Sequence, residues 1–122
     1  MARFPRSARL LKPAEFKAVF DSSGGRSSER NLSVLASDNT VGRPRLGLAV
    51  AKKAVPLAVD RNRIKRQIRE SFRRHQQDLP AVDIVVLTRP GCARTGNPQL
   101  RRILERLWTR IAATRSKASA PV

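Results

Sequence analysis

The stretch Arg61-Asn62-Arg63-Ile64-Lys65-Arg66-Gln67-Ile68-Arg69-Glu70 sets cations beside an apolar spine. Ile64, Ile68 and Phe72 recur four apart, the spacing of one helix face. A helix advances about 100° per residue, so with Arg61 at zero, Leu57, Ile64, Ile68 and Phe72 lie within about 60° of it. Asn62, Lys65, Arg66, Arg69 and Arg73 gather on one flank, between about 40° and 140°. Such a row neutralises phosphates, and its amide hydrogen-bonds nucleic-acid backbone or base edges. The bland alternative is a solvated charged face. Against it, the flank lacks the acidic partners that balance such faces, and Glu70 sits to one side. Arg61 falls among the apolar positions. Either the helix lifts from its support there, or Arg61 snorkels outward, or it reaches a ligand at a sheet edge.

Other chemistries lack their residues. The chain has one His and one Cys. His75, near the end of the basic helix, reads as a surface residue, and Cys92 falls in a loop without metal-ligand spacing around it. The carboxylates Glu15, Asp21, Glu29, Asp38, Asp60, Glu70, Asp78, Asp83 and Glu105 are scattered, and no pair suggests a two-metal nuclease centre. No Gly-rich phosphate loop is present. The expectation is a binding protein with no catalytic and no metal-ligating residues of its own.

The totals agree. There are 26 Lys and Arg against 9 Asp and Glu, a net charge of +17 over 122 residues. Charge of that density repels itself, and a polyanion relieves it. Nucleic acid is the usual one. A membrane surface is the rival, but no apolar run nears the roughly 20 residues that span a bilayer. The start, Met1-Ala2-Arg3-Phe4-Pro5-Arg6, has no apolar segment behind it and does not read as a secretory signal. A lone Cys fits a reducing cytoplasm. The chain length suits one domain, here residues 1–115, with a frayed small-residue tail over 116–122.

The supporting elements follow in order. Residues 1–11 form a basic arm. A first helix over about 13–21 starts at Pro13 and places Phe16, Val19 and Phe20 on one face. The stretch Asp21–Arg30 reads as a loop. Strands follow over 31–36 and 45–51, with Leu32, Val34 and Ala36, then Leu46, Leu48 and Val50, on the inward side. The turn residues 38–44 between them suggest an antiparallel hairpin. Ser33, Gly47 and Ala49 point outward, and such small residues let an extended ligand backbone lie close. The basic helix runs from Pro56 to about Gln76, and Pro80 ends it. Val82 to Leu87 is almost continuously apolar and reads as a central strand. Asn97 caps a last helix whose stripe Leu100, Ile103, Leu104, Leu107, Trp108 and Ile111 packs on the sheet. The order α-β-β-α-β-α gives a two-layer α/β (α+β) sandwich with a mixed sheet.

Lys52-Lys53, followed by Ala58-Val59-Asp60-Arg61-Asn62-Arg63-Ile64-Lys65-Arg66-Gln67-Ile68-Arg69-Glu70-Ser71-Phe72-Arg73, resembles the signature of the bacterial ribonuclease P protein component. The strand 45–50, Glu15-Phe16 with Phe20, and the run 83–91 resemble other parts of that family, over about residues 7–112 in all. The resemblance implies a left-handed βαβ crossover, against the usual rule. It implies a subunit of the endoribonuclease that removes the 5′ leader of precursor tRNA. Catalysis and Mg²⁺ would lie in the partner RNA, and the protein would bind no cofactor itself. Lys52, Lys53, Arg61, Asn62, Arg63, Lys65, Arg66, Arg69 and Arg73 would face the catalytic RNA. The first helix and the open sheet face would hold the leader, with Arg9, Phe16, Lys17, Phe20 and Ser33 in contact. From the residues alone, Phe16 and Phe20 are either ordinary core or a stacking platform beside Lys17 and Arg9. No membrane or obligate protein partner is expected. A structural RNA-binding protein of ribosomal type and a DNA-compacting protein are the competing functions.

Overall fold

A computed structural model of the chain describes residues 13–22, 26–29 and 31–119. Its elements are α1 (Pro13–Ser22), β1 (Arg26–Ser28), β2 (Leu32–Asp38), β3 (Arg45–Ala49), α2 (Ala58–His75), β4 (Val82–Thr88) and α3 (Asn97–Ser119). Single 3₁₀ turns follow α2, at Gln76–Asp78, and precede α3, at Cys92–Arg94. The basic arm and Arg9 lie outside the described residues.

The strands form one sheet in the order β1-β2-β4-β3. β4 is central, as its apolarity predicts. It runs antiparallel to β2, with Val34 opposite Val86, and parallel to β3, with Leu48 opposite Val86. The hairpin expected between β2 and β3 is therefore absent, because β4 lies between them. Chain reversal at 38–44 is real, with Asn39 Nδ2 donating to Arg43 O at 2.9 Å and Gly42 at φ +86°. The reversal sets direction but not partner. β3–α2–β4 is a βαβ unit joining adjacent parallel strands. The segment read as a loop also contains β1, an edge strand antiparallel to β2.

Alternation along the strands assigns the two faces. Leu32, Val34, Ala36, Leu46, Ile84 and Val86 point to one side and pack under α2 and α3. There Ile64, Ile68 and Phe72 from α2 and Leu100, Leu104 and Leu107 from α3 are fully buried. Truncating a side chain such as Phe72 to Ala there costs about 3–5 kcal/mol. Leu35 and Val85 point to the other side, where Val19 of α1 covers them. The main two-layer core is thus α2 and α3 on the sheet, with α1 laid on the reverse face.

α2 starts at Ala58, after an extended Leu57, so Pro56 precedes the helix. α3 continues as helix to Ser119, past the domain boundary drawn at 115. No helix among the described residues is long and apolar enough to cross a membrane.

Candidate nucleic-acid interface

α2 divides as its periodicity requires. Ile64, Ile68 and Phe72 anchor one side, while Asn62, Arg66 and Arg69 are exposed and Lys65 is half-buried. The side chains of Asn62, Lys65, Arg66 and Arg69 form no hydrogen bond or ion pair among the described residues. They line a depression together with Val59, Gln67 and Asn97 at the start of α3. Lys52 and Lys53 are exposed on the turn between β3 and α2.

Three of the expected RNA contacts also have partners inside the protein. Arg61 Nη1 donates to Pro56 O at 2.6 Å and Val55 O at 3.0 Å. It thus turns back to tie down the chain entering α2, which accounts for its place on the apolar side. Arg63 donates to Thr95 O at 3.0 Å, Asn97 Oδ1 at 2.8 Å and Ala93 O at 3.1 Å, locking the approach to α3 against α2. Asn97 thus accepts from Arg63, and it is Gly96 O that accepts the first α3 backbone bond, from Leu100 N at 2.9 Å. Arg73 pairs with Glu70 at 2.8 Å. That bond, with Arg74 and Arg66 nearby, holds the Glu70 carboxyl below its ordinary range. The carboxylate beside the row is already neutralised by its neighbours.

The α1 face is a second surface. Phe16, like Ala49 and Leu87, is half-buried against the Val19, Leu35 and Val85 cluster, while Lys17 is exposed and Phe20 is 46% exposed. The choice between core and platform thus splits by residue: Val19 is core, Phe20 is open, and Phe16 bridges the two. Ser33 does not lie open. It is fully buried, with its hydroxyl 3.1 Å from that of Ser28. Arg45 fastens α1 to the sheet, through Glu15 at 2.8 Å and a two-point contact with Asp83, both bonds at 2.8 Å. Those two carboxylates, Asp83 foremost, hold the guanidinium in its charged form. This clamp has no signal in the sequence, since its members lie on three elements far apart in the chain. Leu87 is hidden likewise, because a continuously apolar strand does not show which residues face which side.

His75 is half-buried, its Nδ1 2.8 Å from Ser71 O. Cys92 sits in a 3₁₀ turn and not an open loop, and it is fully buried. Among the described residues no three His, Cys, Asp or Glu side chains come together as a metal site.

The family model for ribonuclease P matches residues 4–112. The chain belongs to the ribonuclease P protein family. It is 50% identical over 117 residues to the ribonuclease P protein component of Stutzerimonas stutzeri (strain A1501), covering 96% of this chain and 89% of that one. With the protein component of Ectopseudomonas mendocina (strain ymp) it shares 50% identity over 119 residues, covering 98% and 89%. The solved RNase P protein of Staphylococcus aureus superposes with a TM-score of 0.78 at 33% identity, over 86% of this chain and 94% of that one. That of Thermotoga maritima, in complex with 1-(4-fluorophenyl)-2-thiourea, gives 0.73 at 30%, over 80% and 94%. Membership ties the chain to tRNA processing by an endoribonuclease complex and implies an RNA partner. The matched residues include the Lys52-Lys53 turn and α2, where the exposed cations stand.

Proposed function

We propose that this chain is the subunit of ribonuclease P that binds the catalytic RNA through α2 and holds the 5′ leader of precursor tRNA on its α1 face. The observation that carries the reading is the row Asn62, Lys65, Arg66 and Arg69. Among the described residues its side chains make no hydrogen bond or ion pair, on a helix whose opposite side is buried. Lys52 and Lys53 extend it toward the sheet edge. The α1 face, with Phe16, Lys17, Phe20, Ala49 and Leu87, lies on the other side of the sheet. Two RNA segments can therefore be held at once, one on each face. A stacking side chain beside a cation suits a single strand, and a short aromatic supply suits a short one. The chemistry of cleavage and its Mg²⁺ ions belong to the RNA, in the cytoplasm. The protein contributes charge neutralisation and substrate positioning.

The test is cleavage of precursor tRNA by the RNA subunit at low Mg²⁺, with and without the full chain. Stimulation is expected, and its absence refutes the proposal in favour of a structural RNA-binding role. The triple variant Lys65→Ala, Arg66→Ala, Arg69→Ala should weaken RNA binding and flatten its salt dependence. The log–log slope should fall by about 0.7–0.9 for each phosphate no longer neutralised. Phe16→Ala with Phe20→Ala should instead reduce the preference for precursor over mature tRNA. A common phenotype for both sets would refute the two-surface assignment.

A further inference from the structure

The depression beside the α2 row carries more than phosphate binding requires. Cations alone neutralise phosphates. Here Lys65, Arg66 and Arg69 border a hollow that also contains an apolar side chain, Val59, and amides from two different helices, Asn62 and Gln67 from α2 and Asn97 from α3. Val59 is 71% exposed, so its apolar surface is open to a ligand. Asn97 is oriented: its Oδ1 accepts from Arg63 at 2.8 Å, which turns its amide N–H groups away from that guanidinium. The same Arg63 grips Thr95 O and Ala93 O, which ties the start of α3 to α2. Asn62 is exposed and its side chain has no partner among the described residues, leaving both its donor and its acceptor free.

An amide presenting a donor and an acceptor side by side matches the N6–N7 edge of adenine, and an apolar surface suits the face of an unstacked base. We propose that this hollow receives one unpaired adenine of the partner RNA. Asn62 reads its N6–N7 edge, Asn97 donates a further hydrogen bond, Val59 lies against its face, and Lys65, Arg66 and Arg69 hold the flanking phosphates. The proposal rests on the RNA-binding reading of α2 and gives that surface a base preference in addition to affinity.

The experiment uses the full chain, the transcribed RNase P RNA, and diethyl pyrocarbonate, which modifies adenine N7 where it is accessible. Wild-type protein should protect one unpaired adenine. Asn62→Ala should restore its reactivity, leave backbone protections in place, and raise Kd about tenfold, the weight of one good amide–base pair. The slope of log Kd against log salt should stay at the wild-type value, since every phosphate stays neutralised. Val59→Ser, at an equally exposed position that the fold does not depend on, should have the same sign of effect. If Asn62→Ala binds like wild type, or restores no adenine, the base-reading site is refuted while RNA binding stands. A reduced salt slope in Asn62→Ala would make Asn62 a backbone contact and also refute it. Failure of the wild-type chain to bind the RNA would overturn this proposal and the proposed function together.

Discussion

Replacing Arg63 by Ala removes a guanidinium that donates to Thr95 O at 3.0 Å, Asn97 Oδ1 at 2.8 Å and Ala93 O at 3.1 Å. A hydrogen bond from a charged donor contributes about 1.5–3 kcal/mol where water cannot replace it. Arg63 is half-buried, so water reaches part of the space it leaves, and its three bonds come from a single guanidinium, two from Nη1 and one from Nη2. A total loss of about 2–3 kcal/mol follows, well below the simple sum. A domain of this size is stable by about 6–18 kcal/mol, so the variant should still fold. Its melting temperature should drop by about 8–12 °C, at about 4 °C per kcal/mol. Urea unfolding followed through the fluorescence of Trp108, the only Trp and 2% exposed, should show a lower midpoint at unchanged m-value. Cys92 gives an independent readout. Burial pushes its thiol up to about 11, so it should resist thiol reagents in the native protein and react faster in the variant. The salt dependence of RNA binding should not change. A wild-type midpoint combined with a salt slope reduced by about 0.7–0.9 would show Arg63 to be a phosphate contact, and would refute the reasoning.

Glu29 accepts from Arg106 Nε at 2.9 Å and from Arg110, joining the end of β1 to α3. The Arg106 hydrogen bond, with help from Arg110, lowers its pKa from 4.5. A carboxyl lowered in the folded state stabilises the protein above its unfolded-state pKa, and this contribution is lost as pH falls through the folded value. Glu29→Gln should therefore melt below wild type at neutral pH, and the gap should close as pH falls below 4.5; a gap independent of pH would contradict the pairing. Ser71→Ala strands the buried indole N–H of Trp108, which donates to Ser71 Oγ at 2.8 Å. It should cost about 1–3 kcal/mol in urea unfolding and shift the Trp108 emission, and an unchanged midpoint would count against that bond.

Much of the fold is legible along the chain because it is local. The four-residue recurrence of Ile64, Ile68 and Phe72 specifies a helix with one buried side, and the residues between them then have to face outward. The apolar run 82–87 marks a strand covered on both faces, which forces it to the middle of the sheet. Alternation in β2 and β3 sorts their residues by face, and the charge balance names a polyanion as partner. Strand pairing is not local. The turn at 38–44 says that the chain reverses, but β4, some forty residues on, competes for the same backbone edges and takes both, since the centre is the one position that buries its two apolar faces. β1 is invisible for a related reason: three polar residues form a strand only because β2 offers an unpaired edge.

The sequence by itself determined which residue types were available for RNA: a cationic helix flank, and an aromatic pair beside a lysine. Tertiary structure decided which of them are free to act. Arg61, Arg63 and Arg73 carry the same charge as Lys65, Arg66 and Arg69; helical spacing sets Arg61 and Arg63 off the flank, but it does not separate Arg73 from the row or say what any of them binds. What separates them is whether a carbonyl or carboxylate from elsewhere in the fold lies within reach. Pro56, Ala93, Thr95, Asn97 and Glu70 supply those acceptors. A guanidinium with acceptors already at hydrogen-bond distance ties the fold together, and one without them keeps its donors on the surface.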